Sequence, residues 1–175
     1  MKILWLTLLI AAAPQLAHAE DIIHVDAKII DCPAVLKLSK PDFEGSNLLL
    51  YPGLNVLSAP RMILLNGKSG SIAVQEQRSV RSADDEKEMR VPTGVQLKVF
   101  PRASDGQIAF TANVVVRDFE GEDKSQLAQE TEFSTREFFF SGTCADGGSV
   151  LVNSKGIHNN RRLSLYLVFK RQKDK

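Results

Sequence analysis

Residues 56–77 read VLSAPRMILLNGKSGSIAVQEQ, an apolar stretch from Met62 to Leu65, a break, and a second stretch from Ser71 to Val74 that runs out into Gln75, Glu76 and Gln77. Asn66-Gly67 stands between the two. Asn and Gly accept the positive φ angles that a tight turn demands, so the segment is predicted to be a β-hairpin, lengthened by Lys68-Ser69-Gly70. One of its faces is predicted to pack and the other to stay wet.

The same period of two continues on both sides of it. Ile23-His24-Val25-Asp26-Ala27-Lys28-Ile29 alternates apolar with polar. Val95, Leu97 and Val99 point one way and Gln96 and Lys98 the other. Asp105-Gly106 then turns the chain into Ile108, Phe110, Ala112, Val114 and Val116. Alternation with β-branched and aromatic residues marks half-buried strands. Glu132–Ser141, Ser149–Asn153 and Leu163–Phe169 continue the series, separated by GTCADGG and SKGIHNNRR. Helical character is confined to Ser125–Glu130. The predicted class is all-β and mainly antiparallel, with hairpins forming a sandwich or partial barrel. Ser79–Glu88, SVRSADDEKE, is predicted to be a loop, and Pro41–Gly53 an irregular region carrying Leu48-Leu49-Leu50-Tyr51.

Residues 1–19 have the layout of a secretory signal: Lys2, an apolar block from Ile3 to Ala13, and AHA ending at Ala19. Residues 20–172 then form one domain, and 173–175 a basic tail end. Removing the leader takes away Lys2 and leaves 21 basic against 21 acidic side chains. No global charge attracts nucleic acid. The C-terminal stretch is nevertheless basic, with Lys155, Arg161, Arg162, Lys170 and Arg171 forming either a solvated end or a surface for anionic headgroups or an acidic partner.

Cys32 and Cys144 are the only cysteines. In an exported chain a distant even pair reads as a structural disulfide, with two buried free thiols as the alternative. Residues suited to catalysis are thin. Beyond the leader the histidines are His24 and His158, no serine sits in a nucleophile-elbow glycine frame, and no paired-histidine spacing occurs. His24 and Asp26 share a strand face, but two ligands rarely hold an ion alone. ADGGSV, from Ala145 to Val150, lacks the lysine and helix of a phosphate cradle and reads as a turn. Neither an enzyme nor a cofactor is predicted.

The order of these motifs resembles the secretin family, the ring-forming outer-membrane channel proteins of type II and III secretion and type IV pilus systems, in its C-terminal core module only. IIHVDAKIID is similar to the strand that opens that module, and LSAPRMILLNGKSGSIAV to its Ser-x-Pro-Arg, Asn-Gly hairpin. TGVQLKVFPRASDGQIAF is similar to its Gly-x-x-Leu-x-Val-x-Pro strand with the Asp-Gly turn, and FSTREFFFSGTCADGGSVLV to the closing strand pair. The resemblance implies a β-rich module whose strands pair with those of neighbouring subunits to close a large barrel, which removes exposed sheet edges. It implies that Ser58, Pro60, Arg61, Asn66 and Gly67 shape one hairpin, and Gly94, Pro101, Asp105 and Gly106 the other.

There are departures. The closing turn reads VLVNSKG where the family has a run ending in two glycines and leucine. Ser79–Arg90 is too charged for a lipid-facing hairpin, so the chain does not read as a pore on its own. The resulting expectation is a non-enzymatic exported module that takes part in a secretion or pilus-type envelope complex by strand pairing. Its expected partners are proteins of that complex or further copies of itself, with contact to the outer membrane. The alternative is a soluble monomeric periplasmic β-sandwich with an unrelated binding role.

Overall fold

The computed structural model describes residues 21–44, 51–81, 88–122, 131–157 and 159–172. Nine strands and one short helix follow in the order β1 (Ile22–Pro33), α1 (Lys40–Glu44), β2 (Asn55–Ser58), β3 (Arg61–Leu65), β4 (Gly70–Arg81), β5 (Glu88–Ser104), β6 (Gln107–Glu122), β7 (Thr131–Ala145), β8 (Ser149–Asn153) and β9 (Arg161–Gln172). They build two antiparallel sheets. The first has the order β2-β1-β9-β8, with β3 beside β2 on the same edge of β1; the second is the meander β4-β5-β6-β7. Residues 1–19, expected to be a leader, Leu48–Leu50, Ser125–Glu130 and residues 173–175 lie outside the described residues.

The alternation places the core. Ile23, Val25, Ala27 and Ile29 of β1 and Leu163, Leu165, Leu167 and Phe169 of β9 face the second sheet, which answers with Val95, Leu97, Val99, Ile108, Phe110, Val114 and Phe140. Each of these side chains other than Ala27 contributes about 1.5–3 kcal/mol of burial. The first sheet also packs on its other face. Ile29 and Ile30 point to opposite faces and both are buried because both faces are covered; Ile30, Cys32 and Tyr166 lie beneath α1 with Phe43 stacked on Tyr166 at 5.0 Å. Lys28 Nζ donates to the Phe43 carbonyl at 2.7 Å, satisfying an acceptor at the end of α1.

Two expectations are corrected. The Asn66-Gly67 segment is a corner between sheets and not a hairpin, because β3 pairs with β1 (Met62 opposite Val25) while β4 pairs with β5 (Ile72 opposite Leu97). Gly67 adopts the positive φ of a tight turn, +72°, whereas Asn66 does not, and the apolar residues of β3 and β4 find their partners in different layers. The disulfide is absent as well: both cysteines are free thiols. Cys32 shares the outer-face parity of Ile30 on β1, its thiol 3.5 Å from the Arg162 carbonyl and 3.6 Å from Ser164 Oγ. Cys144 on β7 packs against the core between the sheets, so the body of the first sheet separates the two sulfurs.

The strands also run further than the polar composition suggested. β4 continues to Arg81 and β5 begins at Glu88, paired residue for residue, so Ser79–Arg81 and Glu88 are strand and not loop; residues 82–87 lie outside the described set.

Candidate functional site

β5 and β6 span 17 and 16 residues, against 12 each for β1 and β9. The second sheet therefore outruns its cover. Its near half, where β5 carries Val95, Leu97 and Val99, is roofed by the first sheet. On its far half the inward positions turn polar: Glu76 and Arg78 on β4, Thr93 on β5, Asp118 on β6, Arg136 on β7. A groove of about 510 Å³ lies along Val74, Glu76, Arg78 and Thr93. A second cleft, of about 570 Å³, opens between the sheets where Asp118 and Arg136 face Asp31 and Arg161. Arg136 pairs with Asp118, and Arg161 Nε donates to Asp31 at 2.7 Å. The opposing charges are thus met within the chain, each pair inside its own sheet.

β4 and β7 are the terminal strands of the meander, and their hydrogen-bonding directions follow from one turn. Asp105 and Gly106, at φ +50° and +73°, form a two-residue turn of the type that twists with its strands. The flanking pair Ser104 and Gln107 therefore exchanges hydrogen bonds. Alternation then directs the peptide groups of outward-facing residues of β4 and β7 (Ala73, Gln75 and Gln77; Thr135, Glu137 and Phe139) toward the open edges. Among the described residues no strand pairs with these edges. Phe139 lies 77% exposed on the outer face, with Phe100 at 41% two strands further in, on β5.

The near end of the β4 edge is closed. The Asn66-Gly67 corner continues the β4 edge of β5 past Gly70: Gly67 N–H donates to the Pro101 carbonyl at 3.0 Å, and the Asn66 side chain bonds the Ala103 backbone. This accounts for Pro101, whose missing N–H would point at an edge that β4 no longer occupies. Ser58 ends β2 opposite Ile29, and buried Pro60 separates β2 from β3 while its carbonyl accepts from Ala27 N–H at 2.9 Å. Arg61 pairs with Asp26 at 2.9 Å on the surface. Gly94, at φ +125°, lies where a Cβ would stand 2.3 Å from the Val74 carbonyl oxygen, so β4 can approach only a glycine.

The sequence motif thus divides into a β2–β3 junction (Ser58, Pro60), a corner (Asn66, Gly67, Pro101), a turn (Asp105, Gly106) and a close approach (Gly94), which are not gathered at one point. The basic residues are dispersed too. Arg161 is tied to Asp31, Arg162 Nη2 donates to the Ala34 carbonyl at 3.0 Å, and Arg171 pairs with Asp21. Lys155 and Lys170 are exposed. His24 Nε2 lies 3.0 Å from Gln172 Oε1, and among the described residues no three of His, Cys, Asp and Glu gather to hold a metal. Sequence reasoning passed over Glu76, Asp118 and Arg136, whose signal was a charge at an inward position of an otherwise alternating strand.

No family model and no curated protein sequence matches this chain. Solved structures do. The type II secretin GspD of enteropathogenic Escherichia coli superposes with a TM-score of 0.53 at 13% identity, over 91% of this chain and 71% of that one. The GspD secretin in the ETEC pilotin–secretin AspS–GspD complex superposes with a TM-score of 0.54 at 15% identity, over 91% of this chain and 51% of that one. The chain therefore spans about half to seven-tenths of the length of the secretin chains it matches, and the fold is what they share.

Proposed function

We propose that this chain, which has the all-β fold of the secretin C-terminal module, is a non-enzymatic exported protein that assembles in the cell envelope, within a secretion or pilus-type complex, by pairing strand edges. The observation that carries the reading is the pair of open edges on a meander that outruns its own sandwich. Four is an even number of strands, so β4 and β7 run antiparallel to each other. Copies related by rotation about one axis then meet β7 to β4 in antiparallel fashion and extend one continuous sheet, which closes into a ring if the rotation closes. The pairing satisfies the peptide groups that each copy leaves open.

On this reading residues 1–19 are a leader removed after Ala19, and the corner and turn residues hold the near half rigid while the far half is offered to partners. Protein partners of the complex, and contact with the outer membrane, belong to the same proposal.

Proline on the open edges tests it. Gln75→Pro and Thr135→Pro each remove an N–H that is directed outward and is not used within the chain. The full chain, extracted from the envelope in detergent, is expected to run as a multimer and each variant as a folded monomer by circular dichroism. Multimers unchanged in both variants would count against edge pairing. A second reading, the solitary periplasmic sandwich, is favoured by the charged side chains of Glu76 and Arg78 on the β4 edge, since charged edges deter pairing. It predicts a monomeric parent.

A further inference from the structure

We infer that the occupant of the β4 edge is the β7 edge of a second copy of this chain, in the register that sets Glu76 opposite Arg136. The inference rests on the edge-pairing reading above, in which the β7 edge of a second copy meets the β4 edge, and adds the alignment.

Transverse rows fix the possible registers. Val74, Val95, Val116 and Arg136 lie in one row, and Ile72, Leu97, Val114 and Phe138 in the next inward-facing one. Copies paired without stagger would set each row against itself, with Val74 against Arg136. Closure of a sheet requires a stagger. The stagger is an even number of residues, because a slip of one turns every inward side chain outward.

A shift of two residues in one direction sets Glu76 opposite Arg136 and Val74 opposite Phe138, with Ala73 opposite Phe139 on the outer face. Opposite charges then meet, and the 52% exposed Val74 and 77% exposed Phe139 both gain apolar neighbours. A shift of two in the other direction sets Ile72 against Arg136. A shift of four in the favourable direction sets Arg78 against Arg136, like against like. One Arg136 Nη bonds Asp118, and a carboxylate set opposite would give the guanidinium a second charged acceptor. Glu76 presents a carboxylate that is largely exposed and bonded to Arg78 at one oxygen.

Inward pairs across this interface are the ones that do not exchange hydrogen bonds, where Cβ atoms stand about 4.5–5.5 Å apart, within disulfide reach, while diagonal neighbours lie about 7–8 Å apart. The test is a cysteine scan in the full chain. Glu76→Cys is combined in turn with Ser134→Cys, Arg136→Cys or Phe138→Cys, and the Glu76→Cys single variant controls for Cys32 and Cys144. The expected result is a ladder of covalent oligomers under mild oxidation with Arg136→Cys, and loss of that ladder with the other two, all variants retaining the parent's circular dichroism. A ladder strongest with Ser134→Cys or Phe138→Cys would overturn the register and leave edge pairing standing. No ladder in any variant of a multimeric parent would overturn the β4–β7 interface. A monomeric parent would overturn both this inference and the reading beneath it. Glu76→Arg is expected to dissociate the multimer and Glu76→Arg with Arg136→Glu to restore it; failure of the double variant to restore assembly while folded would also contradict the pairing.

Discussion

The side-chain amide of Asn66 makes both hydrogen bonds that a strand residue would make to Ala103: Oδ1 accepts from Ala103 N–H at 2.7 Å and Nδ2 donates to the Ala103 carbonyl at 3.2 Å. One side chain thereby stands in for a missing residue of β4 and seals the near end of the edge, leaving the far end as the part open to a partner. Replacing Asn66 by Ala strands a donor and an acceptor that are partly buried, so a loss of about 1–3 kcal/mol is expected in urea unfolding. Asn66→Asp keeps the acceptor and sets a carboxylate against a carbonyl; it is expected to be similarly destabilised at neutral pH and to recover part of the loss in acid, relative to the parent, when the carboxyl can donate.

Gly94 and Gly106 make a matched contrast. Both have positive φ, but a Cβ at Gly94 meets the Val74 carbonyl at 2.3 Å and one at Gly106 meets nothing within 4 Å. Gly106→Ala is expected to cost about 1–2 kcal/mol of backbone strain. Gly94→Ala adds a collision with the β4 backbone and is expected to cost more, with faster amide exchange along β4. Equal costs at the two sites would contradict the close approach.

The two cysteines are expected to titrate as two thiols after unfolding, with the same gel mobility with and without reductant. Burial pushes the Cys144 thiol above its ordinary range. Alkylation of the native protein near pH 8 is therefore expected to be slow and to accelerate on unfolding. A mobility shift on reduction would show the crosslink that the fold does not contain.

Asp42 fastens the segment over the outer face of the first sheet. Its Oδ1 accepts from the Tyr51 hydroxyl at 2.6 Å, and its Oδ2 accepts from Ser39 N–H at 2.6 Å and Ser39 Oγ at 2.7 Å. The Tyr51 bond, followed by those from Ser39, holds the Asp42 carboxyl below its ordinary value. A folded value below the unfolded one, about 3.9, means that the contribution is present above that pH and is lost as pH falls through the folded value. The same bond, foremost, raises the Tyr51 hydroxyl, so its contribution is complete below the unfolded value of about 10 and is lost as pH rises through the folded one. Tyr51→Phe is expected to raise the Asp42 titration followed by NMR. An unchanged Asp42 would refute the contact.

Much of the fold was legible in the residues. The alternation of Val95 to Val99 and of Ile108 to Val116 gave two central strands, and Asp105-Gly106 their turn, because neighbours in sequence are also neighbours in the sheet. Asn66-Gly67 misled for the opposite reason. Its turn chemistry is local, whereas the partner of β3 is β1, some 40 residues earlier, and no local pattern names it. Phe138, Phe139 and Phe140 are all apolar, which hides that Phe139 faces solvent while Phe140 is buried. The cysteines failed on parity: Cys32 and Cys144 look equivalent until the strands give each a face. The edges were legible only as an implication of resemblance, since an open edge is a property of strand order and not of any residue in it.

Sedimentation equilibrium of the chain in mild detergent, over a range of concentrations, tests edge pairing most directly. The account predicts a discrete mass that is a whole multiple of the single chain, collapsing to that of one chain when Gln75→Pro breaks the β4 edge. A parent that sediments as one chain at every concentration would contradict it.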